Sequence, residues 1–126
     1  MIALKRWGPV VAYAALIFAL SAQASFDFGP RDLWKLVFDF DKVVHACEYA
    51  VLALLLCRAT NRPAVSWLIA LLYGVSDEVH QSFVPGRTAT VFDAVADATG
   101  AGLACAAWYW RARRPTPAMD DRPRPT

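Results

Sequence analysis

Four apolar segments divide this chain, and they constrain its fold more than any other feature. They cover roughly residues 7–22, 43–57, 64–79 and 92–110. The sequence is 57% hydrophobic with a mean hydropathy of +0.32, whereas the apolar share of a soluble domain is nearer roughly half. The second and third segments fall short of the roughly 20 residues of a simple spanning helix, so their polar ends must enter the membrane or the bilayer must thin. We therefore predict an all-α, polytopic membrane protein, a small bundle of four transmembrane helices.

The positions of Lys and Arg predict how these segments are oriented. Most of the 13 basic residues precede the first segment, fill the tight connection between the second and third, or follow the fourth. Under the positive-inside bias these three regions are cytoplasmic. Residues 1–6 are then a cytoplasmic N-terminus, residues 7–110 the membrane domain, and residues 111–126 a basic, disordered cytoplasmic tail. The expected location is the bacterial cytoplasmic (inner) membrane, crossed several times.

The same patterns bear on three alternatives: a secretory signal, a cysteine-based site and nucleic-acid binding. The first segment has an alternative reading as a secretory signal, because a basic start and a short apolar core precede Ala22-Gln23-Ala24. The 3 cysteines lie in apolar runs without a C-x-x-C pair, which indicates packing rather than a disulfide framework or thiolate metal site. A basic face with interleaved aromatics is absent from the sequence, so nucleic acid is not an expected partner.

Three groups of polar residues fall on what this orientation makes the outer side. They lie at the start of the second segment, the end of the third and the start of the fourth. Ionisable residues at membrane depth are costly and usually functional. We predict that these groups converge in one polar cluster at the extracytoplasmic helix ends, whose members are Lys42, His45, Glu48, Tyr49, Asp77, Glu78, Gln81, Arg87, Asp93 and Asp97.

Helical spacing favours this convergence. His45, Glu48 and Tyr49 lie at positions that share one stripe of a helix. In the fourth segment, Asp97 continues into Gly100 on the same face, where a small residue lets another helix approach closely and cover the acid.

Each residue also has a purely structural interpretation. Asp41 and Asp93 would complement helix dipoles as N-terminal acids. His45 and Glu48 would form a buried pair that holds two helices in register. Arg87 would neutralise neighbouring acids or extend to lipid headgroups. These interpretations do not account for so many ionisable groups at one end of a small membrane protein.

The motifs in combination resemble the VanZ-like family of small bacterial membrane proteins, over about residues 18–102. The resemblance rests on Asp41-Lys42-x-x-His45-x-x-x-Tyr49, Ser76-Asp77-Glu78-x-x-Gln81-x-Phe83-x-Pro85-x-Arg87, Asp93-x-x-x-Asp97-x-x-Gly100 and the helix ending Leu20-Ser21-Ala22-Gln23. It implies a retained first helix and a link to teicoplanin resistance, for which the family is named. Relatives often carry Asn at position 97, which favours a hydrogen-bonding role for Asp97.

Two classes of function fit these residues, and the first is an accessory or binding factor for a cell-envelope ligand at the outer leaflet. The ligand would be a lipid-linked cell-wall precursor or a glycopeptide, with membrane lipids as further partners. Lys42 and Arg87 would contact phosphate while Tyr49 and Gln81 supply hydrogen bonds, beside Asp93 and Asp97. Because acids outnumber bases, an anion requires either protonated acids or a bridging divalent cation, and the sequence indicates no cofactor other than such a cation.

The second class is an intramembrane hydrolase or transferase acting on a lipid-linked phosphate or amide. His45 or Glu48 would be the general base, Asp77 and Glu78 metal ligands or acid partners, and Arg87 the stabiliser of developing negative charge. The sequence contains no H-E-x-x-H, G-x-S-x-G or phosphate-loop motif to support catalysis. A transport role would need homo-oligomers, because four short helices are few for a transporter.

Overall fold

The computed structural model describes residues 2–23, 31–87 and 90–114, with side chains from residue 3 in the first range and from residue 42 in the second. These residues form four α-helices and no strand. Helix α1 spans Ile2–Ser21, α2 spans Arg31–Thr60, α3 spans Pro63–Gln81 and α4 spans Val91–Ala112. The predicted all-α class is confirmed.

The helices extend beyond the apolar segments that predicted them. Helix α1 already begins at Ile2, within the predicted N-terminal tail. Helix α2 begins at Arg31, so residues 31–42, which precede the second apolar segment, are helical rather than a connection. Hydropathy marks only the apolar part of a helix, whereas the absence of Gly and Pro after Pro30 lets α2 include its polar end. Helix α4 continues to Ala112, and the rest of the predicted tail from residue 115 lies outside the described residues.

Side-chain hydrogen bonds fix the short connection between α2 and α3. Asn61 has a φ of 53°, a left-handed conformation that Asn tolerates better than most residues. Thr60 Oγ1 accepts a 3.0 Å hydrogen bond from the Arg62 amide and shares one of 2.8 Å with Ser66 Oγ. Pro63 then starts α3 at a position where its missing N–H leaves no helical bond unmade. Such a tight connection makes α2 and α3 antiparallel neighbours.

Small residues bring α2, α3 and α4 together. Helix α2 packs most extensively on α4, and a Cβ on Gly100 would collide with the backbone carbonyl of Ala46. On α3, a Cβ on Gly74 would lie 3.1 Å from Tyr49 Cε1 and 3.3 Å from Asp97 Oδ2. The glycines therefore set the distances between helices, as small residues do in membrane helix pairs.

The thiols of Cys57 and Cys105 face each other across the α2–α4 contact. Both residues are buried and free, with their sulfur atoms 3.5 Å apart. Cys47 is also free but exposed. Buried thiols beside Leu52, Leu56 and Ala101 are part of the apolar core.

The outer surface is apolar, whereas several ionisable side chains are buried. Exposed residues include Leu4, Val11, Leu72 and other large apolar side chains on the helices. By length and composition, two helical stretches of the described chain are able to cross a membrane, Ala3–Ser21 and Lys42–Thr60. Helices α3 and α4 do not meet the same criterion, and each contains two acids that lower its hydropathy.

Candidate functional site

Asp77 connects the first helix to the third. Its side chain is buried, and its two oxygens accept hydrogen bonds from different helices. Ser21 Oγ donates to Oδ1 over 2.6 Å, and Gln81 Nε2 donates to Oδ2 over 3.0 Å. Ser21 was not among the predicted site residues, although a polar residue at the end of an apolar helix was the signal that could have found it. Asp77 therefore holds the helix ends in place around the site.

His45 and Asp97 form a buried pair between α2 and α4. His45 Nδ1 lies 3.1 Å from Asp97 Oδ1, and the two residues are only 6% and 1% exposed. The pair lies next to the glycine contact, because Ala46 follows His45 and Gly100 is one helical turn beyond Asp97. The close approach of two helices is thus what covers the acid.

Glu78 adds a second carboxylate to this pair. Its two oxygens are both buried and have no hydrogen-bond partner among the described residues, and the same is true of Asp97 Oδ2 and the Tyr49 hydroxyl. His45, Glu78 and Asp97 each place one ligand atom in this group, and the three atoms lie within 4.8 Å of one another. We call these three residues the buried triad. They bring one imidazole nitrogen and two carboxylate oxygens, one from each acid, close together.

Lys42 and Asp93 pair at the edge of the cluster. Lys42 Nζ lies 3.6 Å from Asp93 Oδ1. The other oxygen of Asp93 accepts a 2.6 Å hydrogen bond from Thr90 Oγ1, and the Thr90 side chain in turn accepts from the Asp93 amide at the start of α4. This reciprocal arrangement is a helix cap, in line with the structural interpretation of Asp93.

Arg87 binds the end of α1. Its Nε donates to the Gln23 carbonyl and its Nη2 to the Leu20 carbonyl, each over 3.3 Å. Leu20 lies in the last turn of α1 and Gln23 just beyond its end, so the guanidinium adds hydrogen bonds to carbonyls at the helix C-terminus and complements the helix dipole. The residue reaches α1 from the turn after α3, where Gly86 has a φ of 81°.

A cavity of about 80 Å³ lies between α1, α2, α3 and the turn that carries Arg87. Apolar residues of α1 and α2 line one part, and polar residues of all three helices line the other. The full lining is Ile17, Leu20, Ser21, Val44, His45, Glu48, Asp77, Gln81 and Arg87. We call this space the polar cavity. It shares His45 with the buried triad.

His80 occupies the last turn of α3 outside both groups. Its ring stacks on Phe18 of α1, with the ring centres 4.3 Å apart. The Nε2 atom is buried without a hydrogen-bond partner among the described residues. The contact links α1 and α3 in addition to the Ser21–Asp77 hydrogen bond and the one from the Tyr73 hydroxyl to the Ala14 carbonyl, and no sequence pattern pointed to it.

The structure brings most predicted site residues into neighbouring groups at one end of the bundle. His45, Glu48, Asp77, Gln81 and Arg87 line the polar cavity, and Glu78 and Asp97 complete the buried triad. Tyr49 packs behind the triad, while Lys42 and Asp93 pair beside it. The side chain of Asp41 lies outside the described residues.

These features define a class: a small helical membrane protein, apolar on its outside, with buried ionisable residues at one end. The family model described as VanZ/LLP1 matches residues 4–112, and the chain belongs to this family. The resemblance found in the sequence motifs is thereby confirmed. The search of curated proteins and the search of solved structures each returned no significant match.

Proposed function

We propose that this membrane protein is a binding factor that holds the polar headgroup of a cell-envelope lipid at the outer leaflet. The polar cavity is the observation that carries the proposal. Its wall is divided between the apolar side chains of Ile17, Leu20 and Val44 and the polar groups of the three helix ends. A lipid headgroup needs this combination, because its polar atoms and the first carbons of its chains must be accommodated together.

The size of the cavity selects the class of ligand. A water molecule occupies roughly 30 Å³ of liquid, so the cavity of about 80 Å³ matches two or three waters or one small polar group. A phosphate or an amine of a headgroup fits within that space, so only one small group of a larger ligand would enter it. We favour a lipid-linked cell-wall precursor, because its phosphate suits the Arg87 guanidinium, and altered teicoplanin sensitivity would follow from its capture.

Arg87 and Glu48 supply the chemistry for such a headgroup. Among the described residues, Arg87 makes hydrogen bonds through Nε and Nη2, and a guanidinium has five N–H donors in a fork that suits phosphate oxygens. Glu48 lines the same cavity and would attract an amine. A ligand that carries both groups would use both residues.

The proposed orientation places the polar cavity outside the cell, with both termini in the cytoplasm. In a Cys47→Ser background, a cysteine at exposed Pro85 should react with a membrane-impermeable maleimide added to intact cells. A cysteine at exposed Ala64, beside the predicted cytoplasmic connection, should react only after the cells are opened. The charge distribution is the reason, since basic connections stay on the cytoplasmic side. The reverse labelling pattern would remove the outer-leaflet ligand.

The ligand itself can be tested by copurification. Protein purified in native lipid discs should carry a phosphate-containing lipid at close to one per chain, measured by native mass spectrometry. Arg87→Lys retains the charge but loses the planar fork, so we expect at least about tenfold less bound lipid. The matched control is Arg62→Lys in the exposed α2–α3 connection, which should retain the lipid fully.

Loss of lipid must be separated from loss of fold. Arg87 also binds the carbonyls at the end of α1, so each variant is compared by its melting temperature. Equal lipid retention by wild type and a folded Arg87→Lys variant would refute headgroup binding in the polar cavity. Lipid loss in a folded variant supports it.

An intramembrane enzyme is the second candidate, and the His45–Asp97 contact favours it. A carboxylate that holds a histidine ring is the arrangement of a general base. The nearby serines, however, donate elsewhere: Ser76 to the Tyr73 carbonyl, Ser82 to the Val79 carbonyl and Ser21 to Asp77. Catalysis would therefore depend on water as the nucleophile.

A further inference from the structure

We propose that the buried triad of His45, Glu78 and Asp97 binds a divalent transition-metal ion, for which zinc is the best match. The site is separate from the headgroup proposal, because it can be loaded with metal when no lipid ligand is present. It would also resolve the excess of acids over bases around the polar cavity.

The geometry of the triad is close to that of a metal site. Ligand atoms of zinc lie about 2.0–2.2 Å from the ion, so neighbouring ligands at tetrahedral positions are separated by roughly 3.3–3.6 Å. His45 Nδ1 and Asp97 Oδ1 are already 3.1 Å apart. One ligand atom from each of the three residues falls within 4.8 Å of the others. Side-chain movements of about 1 Å would therefore bring all three to the spacing of zinc ligands.

The carboxylate oxygens provide an independent reason to expect a cation. Glu78 Oε1 and Oε2 and Asp97 Oδ2 are buried without a hydrogen bond from any described residue. A buried carboxylate must be paired, coordinate a metal or take up a proton, and a metal ion satisfies both carboxylates at once. Asp77, the neighbour of Glu78, shows the contrast, because both of its oxygens accept hydrogen bonds. The triad is therefore built differently from the structural acid beside it.

The nearby cations have other contacts. Arg87 donates to the carbonyls of Leu20 and Gln23, and Lys42 Nζ lies 3.6 Å from Asp93. A metal ion would place its charge between Glu78 and Asp97 directly.

The three ligand types indicate which ion binds and how many of its coordination positions remain open. One imidazole nitrogen with two carboxylate oxygens suits zinc, which takes His, Asp and Glu ligands at tetrahedral positions. Three protein ligands leave a fourth position for water or for an oxygen of a bound phosphate. His45 also lines the polar cavity, so the open position would be reachable from the side of the headgroup.

The test uses the full chain in detergent micelles, stripped with a chelator and then titrated with zinc alone. We expect one zinc per chain by elemental mass spectrometry and calorimetry, and at least about tenfold weaker binding for Glu78→Gln. Asp93→Asn is the charge-matched control, because it removes an equal charge beside the triad but none of the three ligands. It should lose far less zinc affinity than Glu78→Gln.

Folding is monitored by the melting temperature with and without zinc. Zinc should raise this temperature for wild type and Asp93→Asn, and leave it unchanged for a folded Glu78→Gln variant. A wild type that takes up less than one zinc per chain, or a Glu78→Gln variant that binds zinc as tightly, would overturn the proposal. Headgroup binding is measured through Arg87→Lys, so failure of either idea is seen separately.

Discussion

Gly100→Ala should abolish the stable bundle, although it adds only one methyl group. The new Cβ would collide with the Ala46 carbonyl oxygen and would lie 2.6 Å from the carbonyl carbon and 2.8 Å from Cα of the same residue. Backbone atoms in the middle of a helix cannot turn aside as a side chain can, so α2 and α4 must separate. Total stabilities of about 5–15 kcal/mol leave little reserve for such a change. We expect aggregated protein or a severely lowered melting temperature by size-exclusion chromatography and thermal denaturation.

The matched control is Gly8→Ala on α1. A Cβ at Gly8 would meet nothing within 4 Å, and Ala is favoured over Gly in a helix by about 0.5–1 kcal/mol. That variant should be as stable as wild type or more so. If Gly100→Ala behaves like Gly8→Ala, the close contact between α2 and α4 described above is incorrect, and so is the position of His45 over Asp97.

The contact around Gly100 and Asp97 could be predicted because the sequence signals for it lie within one helix. Helical spacing put Asp97 and Gly100 on one face, and small residues predict where a second helix comes close. The structure places Ala46 at that contact and His45 beside it. Periodicity within one helix was enough to find the residues, although it did not identify which helix would approach.

Contacts that depend on helix rotation and distant pairing could not be predicted. Asp77 and Glu78 are adjacent, so the sequence gives them equivalent roles, yet a rotation of about 100° per residue directs them to different helices. Asp77 accepts from Ser21 of α1, a residue 56 positions away, while Glu78 joins His45 and Asp97. Arg87 was predicted to contact phosphate, and its bonds to the carbonyls of α1 could be found only once the turn after α3 was placed.

Hydropathy also has a physical limit as a guide to helix length. It measures preference for the membrane, whereas helix formation continues as long as the backbone permits. This is why α2 begins at Arg31. The same limit explains α3 and α4, which are helices of 19 and 22 residues but do not meet the criterion for a membrane span.

Asp77→Asn and Glu78→Gln should have opposite effects on stability, even though the two substitutions are chemically alike. Asp77 is 3% exposed and accepts from Ser21 and Gln81. The Asn side chain has one acceptor oxygen instead of two, so one buried donor loses its partner at a cost of about 1–3 kcal/mol. Glu78 has no donor among the described residues, so an uncharged amide there should leave the metal-free protein as stable or more stable.

A double-mutant cycle assigns the loss at Asp77 to a particular contact. Ser21→Ala and Asp77→Asn are combined, and free energies of unfolding are measured by denaturant titration in micelles without metal. We expect a coupling of about 1–2 kcal/mol between the two positions. Ser76→Ala is the control, since the hydroxyl of this exposed serine donates to the carbonyl of Tyr73 in its own helix, and it should show no coupling to Asp77.

The cycle also decides whether α1 is part of the folded protein. Coupling between Ser21 and Asp77 requires the first helix to remain attached and packed on α3, whereas cleavage after the first segment would remove Ser21 and with it any coupling. Additive effects would therefore mean that the Ser21–Asp77 hydrogen bond does not hold α1 at the site. If Asp77→Asn and Glu78→Gln instead lower the free energy of unfolding equally, both acids are structural. The buried triad would then be part of the contacts that hold the helices together.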